Sequence, residues 1–305
     1  MTHSLVSLSE ELAATVETAA RSVVAVHARP RLDSSGVHWS AGIVVTADHA
    51  IRRDDDIRVT AASGANLPAE LVGRDPGTDL AVLRVAGLDP ASVAPIAPRA
   101  ANVSLAPGNL VLAVGRSKDS AIAAFGVVGS ISGPSSTWRG GKLDRVVRLD
   151  LSLHPGAEGA SVVDGEGKLM GVATSALSRF SVFAIPLETI GRVVGKLLEH
   201  GRIPRGYLGV GLQPVSIPEH LRKKLDIPAA GLIAVSVEAE AAAGRAGMLI
   251  GDVLVELGGR WIDRTETLQE ALDSDSIGKT VPARIVRGGE MVTLEITPGE
   301  RPQRR

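Results

Sequence analysis

The sequence contains no cysteine, which excludes disulfide bonds, thiolate nucleophiles and cysteine-ligated metals. Aromatic residues make up only 2% of the 305 residues, so a core must be built from Val, Leu, Ile and Ala. The formal net charge of −1 provides no strong field for nucleic acid or an anionic membrane surface, and we expect neither as a partner. No pair of histidines has metal-ligand spacing, so we expect neither a metal nor a cofactor.

The N-terminal segment also lacks an uninterrupted apolar stretch, because Glu10, Glu11 and Glu17 interrupt it. This pattern predicts neither a signal peptide nor a membrane-spanning segment. We therefore expect the chain as given to be cytoplasmic. If the sequence has been truncated, a periplasmic or other extracytoplasmic location is expected instead.

The same segment has a helical pattern. Ser7-Leu8-Ser9-Glu10 fits a capping box, and Leu8, Leu12 and Val16 follow at helical spacing. The pattern predicts an amphipathic helix over residues 7–19. We favour packing on the following domain as its role, with oligomerisation as the alternative.

From Ser22 onward, short runs rich in Val and Ile alternate with turns rich in Gly, Asp, Pro and Ser. SVVAVHA, GIVVTA, DLAVLRVA, NLVLAVGR and RVVRLDLS are examples of these runs. Many short strands at regular spacing, with no helical segments between them, indicate antiparallel barrels or a sandwich and a mainly β fold.

A change of pattern divides the chain. A helix is predicted from Pro186 to Gly201, because apolar residues fall on one stripe and a glycine stands at its C-terminal end. A second β-rich unit begins beyond Ile203-Pro204, with short helical patterns near Pro218–Leu225 and Thr265–Leu272. The predicted segments are an N-terminal helical segment (1–21), a β-barrel domain (22–190), a linker helix end (191–202) and a second domain (203–300).

Three residues whose side chains could take part in catalysis lie at the ends of predicted strands. His49 follows the apolar run GIVVTA, Asp79 stands at the mouth of LAVLRV, and Glu158 lies in a loop that starts with Pro155-Gly156. The chain order His, Asp, nucleophile position is that of trypsin-type serine proteases. The position at which the nucleophilic serine is expected therefore holds Glu158.

The chain resembles the HtrA/Deg-type proteins, in which a chymotrypsin-like double β-barrel is followed by a PDZ domain. The resemblance rests on TADHAI around His49, DPGTDLAVLRV around Asp79, HPGAEGASVVDGEGKLMGV around Glu158, VFAIP at 182–186 and the run from Tyr207. It implies that His49 and Asp79 occupy the catalytic base and orienting positions. It also implies that the backbone N–H groups of Gly156 and Glu158 form the oxyanion hole.

The nucleophile loop departs from the family pattern P-G-N-S-G-G-P. Pro155, Gly156 and Gly159 match, whereas Glu158 replaces the serine and Ala160 replaces a glycine. A carboxylate beside His49 should raise the histidine pKa, the reverse of what a general base requires. We also expect the carboxylate to fold into the N–H groups around Gly156 and fill the oxyanion hole from within.

These departures predict a pseudoprotease, a protein-binding member of the family without peptidase activity that acts as a chaperone-like or regulatory module in protein quality control. One alternative is an active serine endopeptidase that uses a displaced serine, such as Ser161 or Ser152. Another is a structural subunit of an oligomer. Glu158 and His49 are expected to form an ion pair, and the alternative role for them is an acid/base pair in other chemistry.

Residues 203–300 resemble a PDZ domain. Tyr207-Leu208-Gly209-Val210 matches its carboxylate-binding loop, where successive N–H groups cradle a peptide C-terminus. A helix carrying Leu268 and Leu272 should form the groove wall, which favours an apolar C-terminal residue. The expected partners are unfolded proteins or peptide C-termini, together with further copies of the chain or active relatives. The alternative is a PDZ fold that docks on its own barrel domain.

Overall fold

The computed structural model describes residues 2–94, 105–137, 139–178, 180–272 and 274–300. The chain divides into two compact units, Met1–Ile203 and Pro204–Arg305. The first unit contains, in chain order, α1 (Thr2–Ala20), β1 (Val23–His27), β2 (Ser34–Ser40), β3 (Ile43–Ala47), β4 (Ile57–Thr60), β5 (Asn66–Asp75), β6 (Leu80–Val85), β7 (Leu110–Ser117), β8 (Ser120–Ser132), β9 (Ser135–Ser136), β10 (Lys142–Leu143), β11 (Val146–Asp150), β12 (Ser161–Val163), β13 (Leu169–Thr174), β14 (Val182–Pro186) and α2 (Leu187–His200).

Two closed antiparallel barrels make up most of this unit, in the strand orders β1-β2-β3-β6-β5-β4 and β11-β14-β13-β12-β7-β8. The prediction of a mainly β, double-barrel fold is therefore confirmed. Every residue of β3 is buried, because one face of the strand contributes to the core of the first barrel and the other to a cluster shared with the second barrel. Burial on both faces explains why IVVTA is almost continuously apolar.

Helix α1 packs on the second barrel. Its half-buried Leu12 and Val16 form a cluster with Leu112, Val114 and Val163. Packing was the favoured role, but the predicted start at residue 7 was wrong because the helix begins at Thr2. The predicted capping box therefore lies inside the helix, where the Ser7 hydroxyl donates to the carboxylate of Glu11 on the helix surface.

Helix α2 has the predicted bounds within one residue, and Gly201 ends it with a φ of 71°. Ile190, Val193 and Leu197 are completely buried in the cluster shared by the two barrels. Residues 191–200, which lie in the predicted linker helix end, form the larger part of α2 and pack into the core of the first unit.

The second unit contains β15 (Gly206–Tyr207), β16 (Val210–Ser216), α3 (Glu219–Leu225), β17 (Ala230–Val237), α4 (Ala242–Arg245), β18 (Val253–Leu257), β19 (Arg260–Trp261), α5 (Thr265–Ala271), β20 (Val281–Arg287), β21 (Glu290–Ile296) and β22 (Gly299–Glu300). Its main sheet has the order β16-β17-β18-β20-β21, which leaves β16 at an edge. None of the helices in the described part of the chain has the length and apolar character needed to span a membrane.

Candidate active-site cleft

The Asp75–Asp79 turn places one acidic side chain against His49. The Asp75 carboxylate accepts hydrogen bonds from Gly77 N (3.1 Å) and the Thr78 hydroxyl (2.8 Å), which fixes the turn. Asp79 follows with a φ of 59°, a conformation that few non-glycine residues adopt. Asp79 stands directly before β6. Unfavourable backbone conformations of this kind cluster at functional sites.

His49 is bound to Asp79 through two groups. Its Nδ1 lies 2.9 Å from Asp79 Oδ2, and its backbone N–H donates to Oδ1 at 2.9 Å. The Asp79 side chain is completely buried and also accepts a hydrogen bond from the Thr174 hydroxyl at the end of β13. The first barrel thus holds an imidazole in the orientation that a serine protease base requires, with Nε2 facing the cleft.

A second contact supports the short helical turn that carries His49. The guanidinium of Arg74 on β5 binds the buried Asp48 carboxylate at 2.5 Å and donates to the carbonyls of Asp48 and Ile51 at 3.2 and 3.1 Å. Arg74 therefore positions the turn without contacting His49. Sequence analysis assigned Asp48 no role and did not identify Arg74.

The loop that contains Glu158 is held by Ser35 of β2. Ser35 N donates to the Glu158 carbonyl and the Ser35 hydroxyl to the Gly156 carbonyl, both at 2.8 Å. Gly159 has a φ of 82°, and a Cβ there would lie 2.2 Å from the Ser35 carbonyl oxygen. Ala160 is fully buried in the core of the second barrel, which accommodates the methyl group that replaces the family's glycine.

The Glu158 carboxylate stands beside His49, but it does not fill the oxyanion hole. Glu158 Oε2 lies 3.6 Å from His49 Nε2 and accepts a hydrogen bond from Ser175 N at 3.1 Å, and Oε1 accepts from the Ser175 hydroxyl. The predicted folding of the carboxylate toward the N–H groups around Gly156 was therefore wrong. The reason is that the residue after β13 offers two donors together, a backbone N–H and a hydroxyl.

The backbone donors of the expected oxyanion hole are open. Among the residues that the structure describes, no acceptor receives a hydrogen bond from Gly156 N–H or Glu158 N–H. By contrast, Ala157 N donates to the His154 carbonyl at 2.9 Å, and Ala160 N to the Ala157 carbonyl at 3.0 Å. The loop therefore leaves free the two N–H groups that would bind a developing oxyanion.

The charges around His49 favour its protonated form. Burial lowers the pKa of His49, but the hydrogen bond that His49 donates to Asp79, the charge of Asp79 and the charge of Glu158 together outweigh it. The net pKa lies above the ordinary value of 6.5, although Arg29 opposes the rise. An imidazolium cannot accept a proton, so this arrangement works against general-base catalysis.

The structure does not favour Ser161 as a displaced nucleophile. The Ser161 hydroxyl is buried in β12 and donates to the Val114 carbonyl at 3.1 Å. Ser152 is exposed and lines the cavity that extends from Glu158. Ser175, which sequence analysis did not identify, is the serine whose hydroxyl contacts the Glu158 carboxylate.

A cavity of about 1400 Å³ is lined by Glu158, by part of β11 and by the segments that follow β11 and β13. Its lining residues are Gly129, Ser130, Arg148, Leu149, Asp150, Leu151, Ser152, Leu153, Glu158, Ser175, Ala176, Leu177, Ser178, Phe180, Ser181 and Val182. The described lining residues therefore combine leucines with five serine hydroxyls and three charged side chains.

The predicted peptide-binding residues of the second unit lie around β16. Leu208 and Leu268 are buried in one cluster, which the half-buried Val210 and Leu272 also contact. Gly209 has a φ of 72°, and a Cβ there would lie 1.9 Å from Ala241 Cβ. Tyr207 donates its hydroxyl to Glu238 at 2.6 Å. These apolar residues pack in the core of the second unit, and β16 is an end strand of its main sheet, where a peptide strand could be added.

Comparisons with known proteins agree with this architecture. A trypsin-like peptidase domain matches residues 34–172, and a PDZ domain matches residues 206–297. The chain is 30% identical over 269 residues to a serine protease Do-like HtrA from Lactobacillus helveticus, covering 84% of this chain and 64% of that protein. It is 29% identical over 301 residues to the chloroplastic Protease Do-like 1 of Arabidopsis thaliana, covering 89% and 65%. The chain spans less than two thirds of the length of these curated relatives.

Solved structures show the same similarity. The serine endoprotease from Yersinia pestis aligns with a TM-score of 0.73 and 28% identity, covering 94% of this chain and 97% of that one. The HtrA-type protease AlgW with a tripeptide aligns with a TM-score of 0.73 and 26% identity, covering 96% and 98%.

Proposed function

The chain belongs to the HtrA/DegP type of trypsin-like serine protease folds with a PDZ domain, and we propose that it is a proteolytically inactive member that binds peptides. The observation that carries the proposal is the contact between Glu158 Oε2 and His49 Nε2 at 3.6 Å. No hydroxyl of the described residues lies within hydrogen-bonding distance of His49 Nε2. The base and the orienting carboxylate are retained, and the nucleophile is missing.

The loss of catalytic rate expected from the missing nucleophile is large. Replacing the nucleophile of a serine protease lowers kcat by about 10⁶-fold, because the members of the triad act as a unit. The raised pKa of His49 also works against its role as a general base. The open N–H groups of Gly156 and Glu158 retain only the ability to bind a carbonyl oxygen.

The first test is incubation with unfolded casein and, in parallel, with a fluorophosphonate probe that labels activated serines. We expect neither cleavage nor labelling of the parent chain. Glu158→Ser is expected to gain labelling, because the His49–Asp79 pair and the open N–H groups are in place. Cleavage with a labelled serine in the parent would contradict the proposal, and labelling of Ser175 would identify a displaced nucleophile.

Peptide binding is proposed to occur at the free edge of β16. The support is that β16 has one strand partner in the main sheet of the described residues, that Leu208, Val210, Leu268 and Leu272 pack in one cluster, and that solved relatives are described as carrying bound peptides. A peptide that adds a strand there would place its last side chain against these apolar residues and its carboxylate near Gly209.

Fluorescence anisotropy with labelled peptides tests this site. A peptide with an apolar C-terminal residue and a free carboxylate should bind at least about tenfold more tightly than its C-terminal amide, a difference of about 1.4 kcal/mol. Leu272→Ala should weaken binding. Leu225→Ala, which truncates a half-buried leucine at the end of α3, is the matched control and should not. Equal affinity of acid and amide would contradict carboxylate recognition.

A further inference from the structure

A second cluster of hydrogen-bonded polar side chains lies on the first barrel. His27 is the last residue of β1, Asp33 directly precedes β2, and Thr60 is the last residue of β4. Val26 and Val59, the residues before His27 and Thr60, pack in the core of this barrel. Because side chains alternate along a strand, His27 and Thr60 lie on its outer face.

His27 connects a carboxylate to a hydroxyl. Its Nδ1 lies 2.8 Å from Asp33 Oδ1, and its Nε2 lies 2.8 Å from Thr60 Oγ1. An ionised carboxylate can only accept hydrogen bonds, so Nδ1 carries the ring proton and Nε2 of the neutral ring is an acceptor. The Thr60 hydroxyl therefore donates to Nε2. A hydroxyl bound to an imidazole that a carboxylate orients is the arrangement that activates a nucleophile.

Further contacts hold the carboxylate and the imidazole in place. The second oxygen of Asp33 accepts a hydrogen bond from Lys118 N at 3.2 Å, in the turn between β7 and β8. Arg29 donates to the Asp33 carbonyl at 3.1 Å, and Arg53 donates to the His27 carbonyl at 3.1 Å. The Asp33 side chain and the backbone at both residues are thus fixed, which orients the imidazole toward Thr60.

Arg58 provides a hydrogen-bond donor on the same face. It lies directly opposite His27 in the pairing of β4 with β1. Its Nε and Nη2 bind the side-chain oxygen and the carbonyl of Asn66 at 2.5 and 3.1 Å, whereas its Nη1 has no partner among the described residues. This nitrogen is available to bind negative charge that develops on an oxygen near Thr60. Other charged side chains beside the cluster are Arg29, Arg53 and Asp56, the last of which pairs with Arg53 at 3.6 Å.

Solvent reaches the base of this cluster. The side chains of His27 and Asp33 are 24% and 18% exposed, close to the 21% of His49 and the 17% of Glu158. Thr60 is only 5% exposed, so only a small group has room to reach its hydroxyl. The site therefore restricts the size of the group that it accepts.

We propose that Asp33, His27 and Thr60 form a second nucleophilic site, at which Thr60 accepts an acetyl-sized group from an activated ester. The Thr60 oxygen attacks the acyl carbon and forms an ester bond, while the bond from this carbon to the leaving oxygen breaks. The proton of the Thr60 hydroxyl passes to His27 Nε2 and from there to the leaving oxygen or to water. Asp33 positions His27, and Arg58 stabilises the charge on the acyl oxygen during the attack. The hydroxyl that His49 lacks is thus present at His27.

Acetylation of the full-length chain by p-nitrophenyl acetate tests the site. Peptide mapping by mass spectrometry after brief exposure to the reagent locates each acetyl group. We expect Thr60 to be acetylated at least about 100-fold faster than Thr293, an exposed threonine on β21. Lysines react with this reagent without a catalytic partner, so they provide an internal reference in the same sample. An unmodified Thr60 in a sample whose lysines are acetylated would overturn the inference.

Variants assign the reaction to the three residues. Thr60→Val keeps the shape of the side chain and should lose the acetyl group at this position, whereas Thr60→Ser should retain it. His27→Gln removes the base and should lower the rate of acetylation of Thr60 at least about 100-fold relative to the lysines. Thr293→Val removes a hydroxyl from an exposed strand position and is the control, which should leave the acetylation of Thr60 unchanged.

Asp33→Asn is a milder change, since the asparagine can still form a hydrogen bond with the ring. It should lower the rate at Thr60 at least about tenfold, because the amide disturbs the tautomer of His27. Thermal unfolding of each variant checks that the fold is retained. A rate at Thr60 that is equal in the parent, in His27→Gln and in Asp33→Asn would contradict activation by this cluster.

The inference is independent of the proposed lack of proteolysis. Because Thr60 is nearly buried, we expect the bulky fluorophosphonate probe and casein not to reach it. Uncleaved casein together with an acetylated Thr60 would support both ideas. Cleaved casein with an acetylated Thr60 would contradict the proposed function alone, and uncleaved casein with an unmodified Thr60 would contradict this inference alone.

Discussion

The two barrels retain different parts of the active site of a working serine protease. The first barrel provides side chains in the catalytic arrangement, with His49 bound to a buried Asp79 and supported by Arg74. The second barrel provides a loop whose backbone is held in place by Ser35, but with Glu158 at its functional position. Backbone geometry and side-chain chemistry are thus separable, because the loop is fixed through its carbonyls and glycine dihedrals and not through the side chain of residue 158.

Gly159→Ala should have the largest effect, because it breaks the backbone that the two sides share. The added Cβ would meet the Ser35 carbonyl oxygen at 2.2 Å, and the φ of 82° is unfavourable for alanine. We expect the free energy of unfolding of the first unit, measured by urea denaturation, to fall by about 3 kcal/mol or more.

Gly165→Ala is the matched control. No atom lies within 4 Å of the Cβ position at Gly165. It should change the stability by less than about 0.5 kcal/mol. Equal stabilities of the two variants would show that Ser35 does not constrain the loop.

Asp79→Asn tests the side-chain half of the comparison. The buried carboxylate accepts hydrogen bonds from the His49 backbone, the His49 ring and Thr174. Loss of its charge should cost about 2 kcal/mol of stability. It should also lower the pKa of His49, because Asp79 provides the largest contributions that raise it. NMR titration of the His49 ring measures this pKa, and Asp55→Asn in an exposed loop is the control.

The sequence predicted the elements whose signal is local. Short apolar runs gave the barrel strands, and the turn chemistry of DPGTD placed Asp79 at the start of β6. The contacts that decide the state of the cleft were not predictable in this way. Ser175 meets Glu158, Ser35 meets Gly156 and Thr174 meets Asp79 only after the barrels have closed.

The direction of the Glu158 side chain shows the same limit. The sequence predicted a carboxylate next to His49, and the structure confirms that contact. Whether the carboxylate turns toward the loop N–H groups or toward Ser175 depends on which donors are free in the folded barrel. A serine that follows β13 has no distinctive sequence pattern, so the second outcome could not be predicted.

Glu158→Gln should lower the stability less than Gly159→Ala or Asp79→Asn. It separates the effect of Glu158 on His49 from that of Asp79. The glutamine can still accept a hydrogen bond from Ser175 N, so the substitution mainly removes a charge. It should lower the pKa of His49, but less than Asp79→Asn does, because the contribution of Glu158 is purely electrostatic across 3.6 Å. The same NMR titration should order the pKa values as parent, Glu158→Gln and then Asp79→Asn.

The pH dependence of stability gives an independent check with a defined sign. Because the folded pKa of His49 is raised, the stabilisation from Glu158 is fully present below the ordinary value of 6.5 and is lost as the pH rises through the folded pKa. The free energy of unfolding of the parent should therefore exceed that of Glu158→Gln by up to about 1 kcal/mol near pH 5.5, and the difference should vanish as the pH rises through the folded pKa of His49. A difference that grows with pH would mean that Glu158 acts on the fold through a group other than His49.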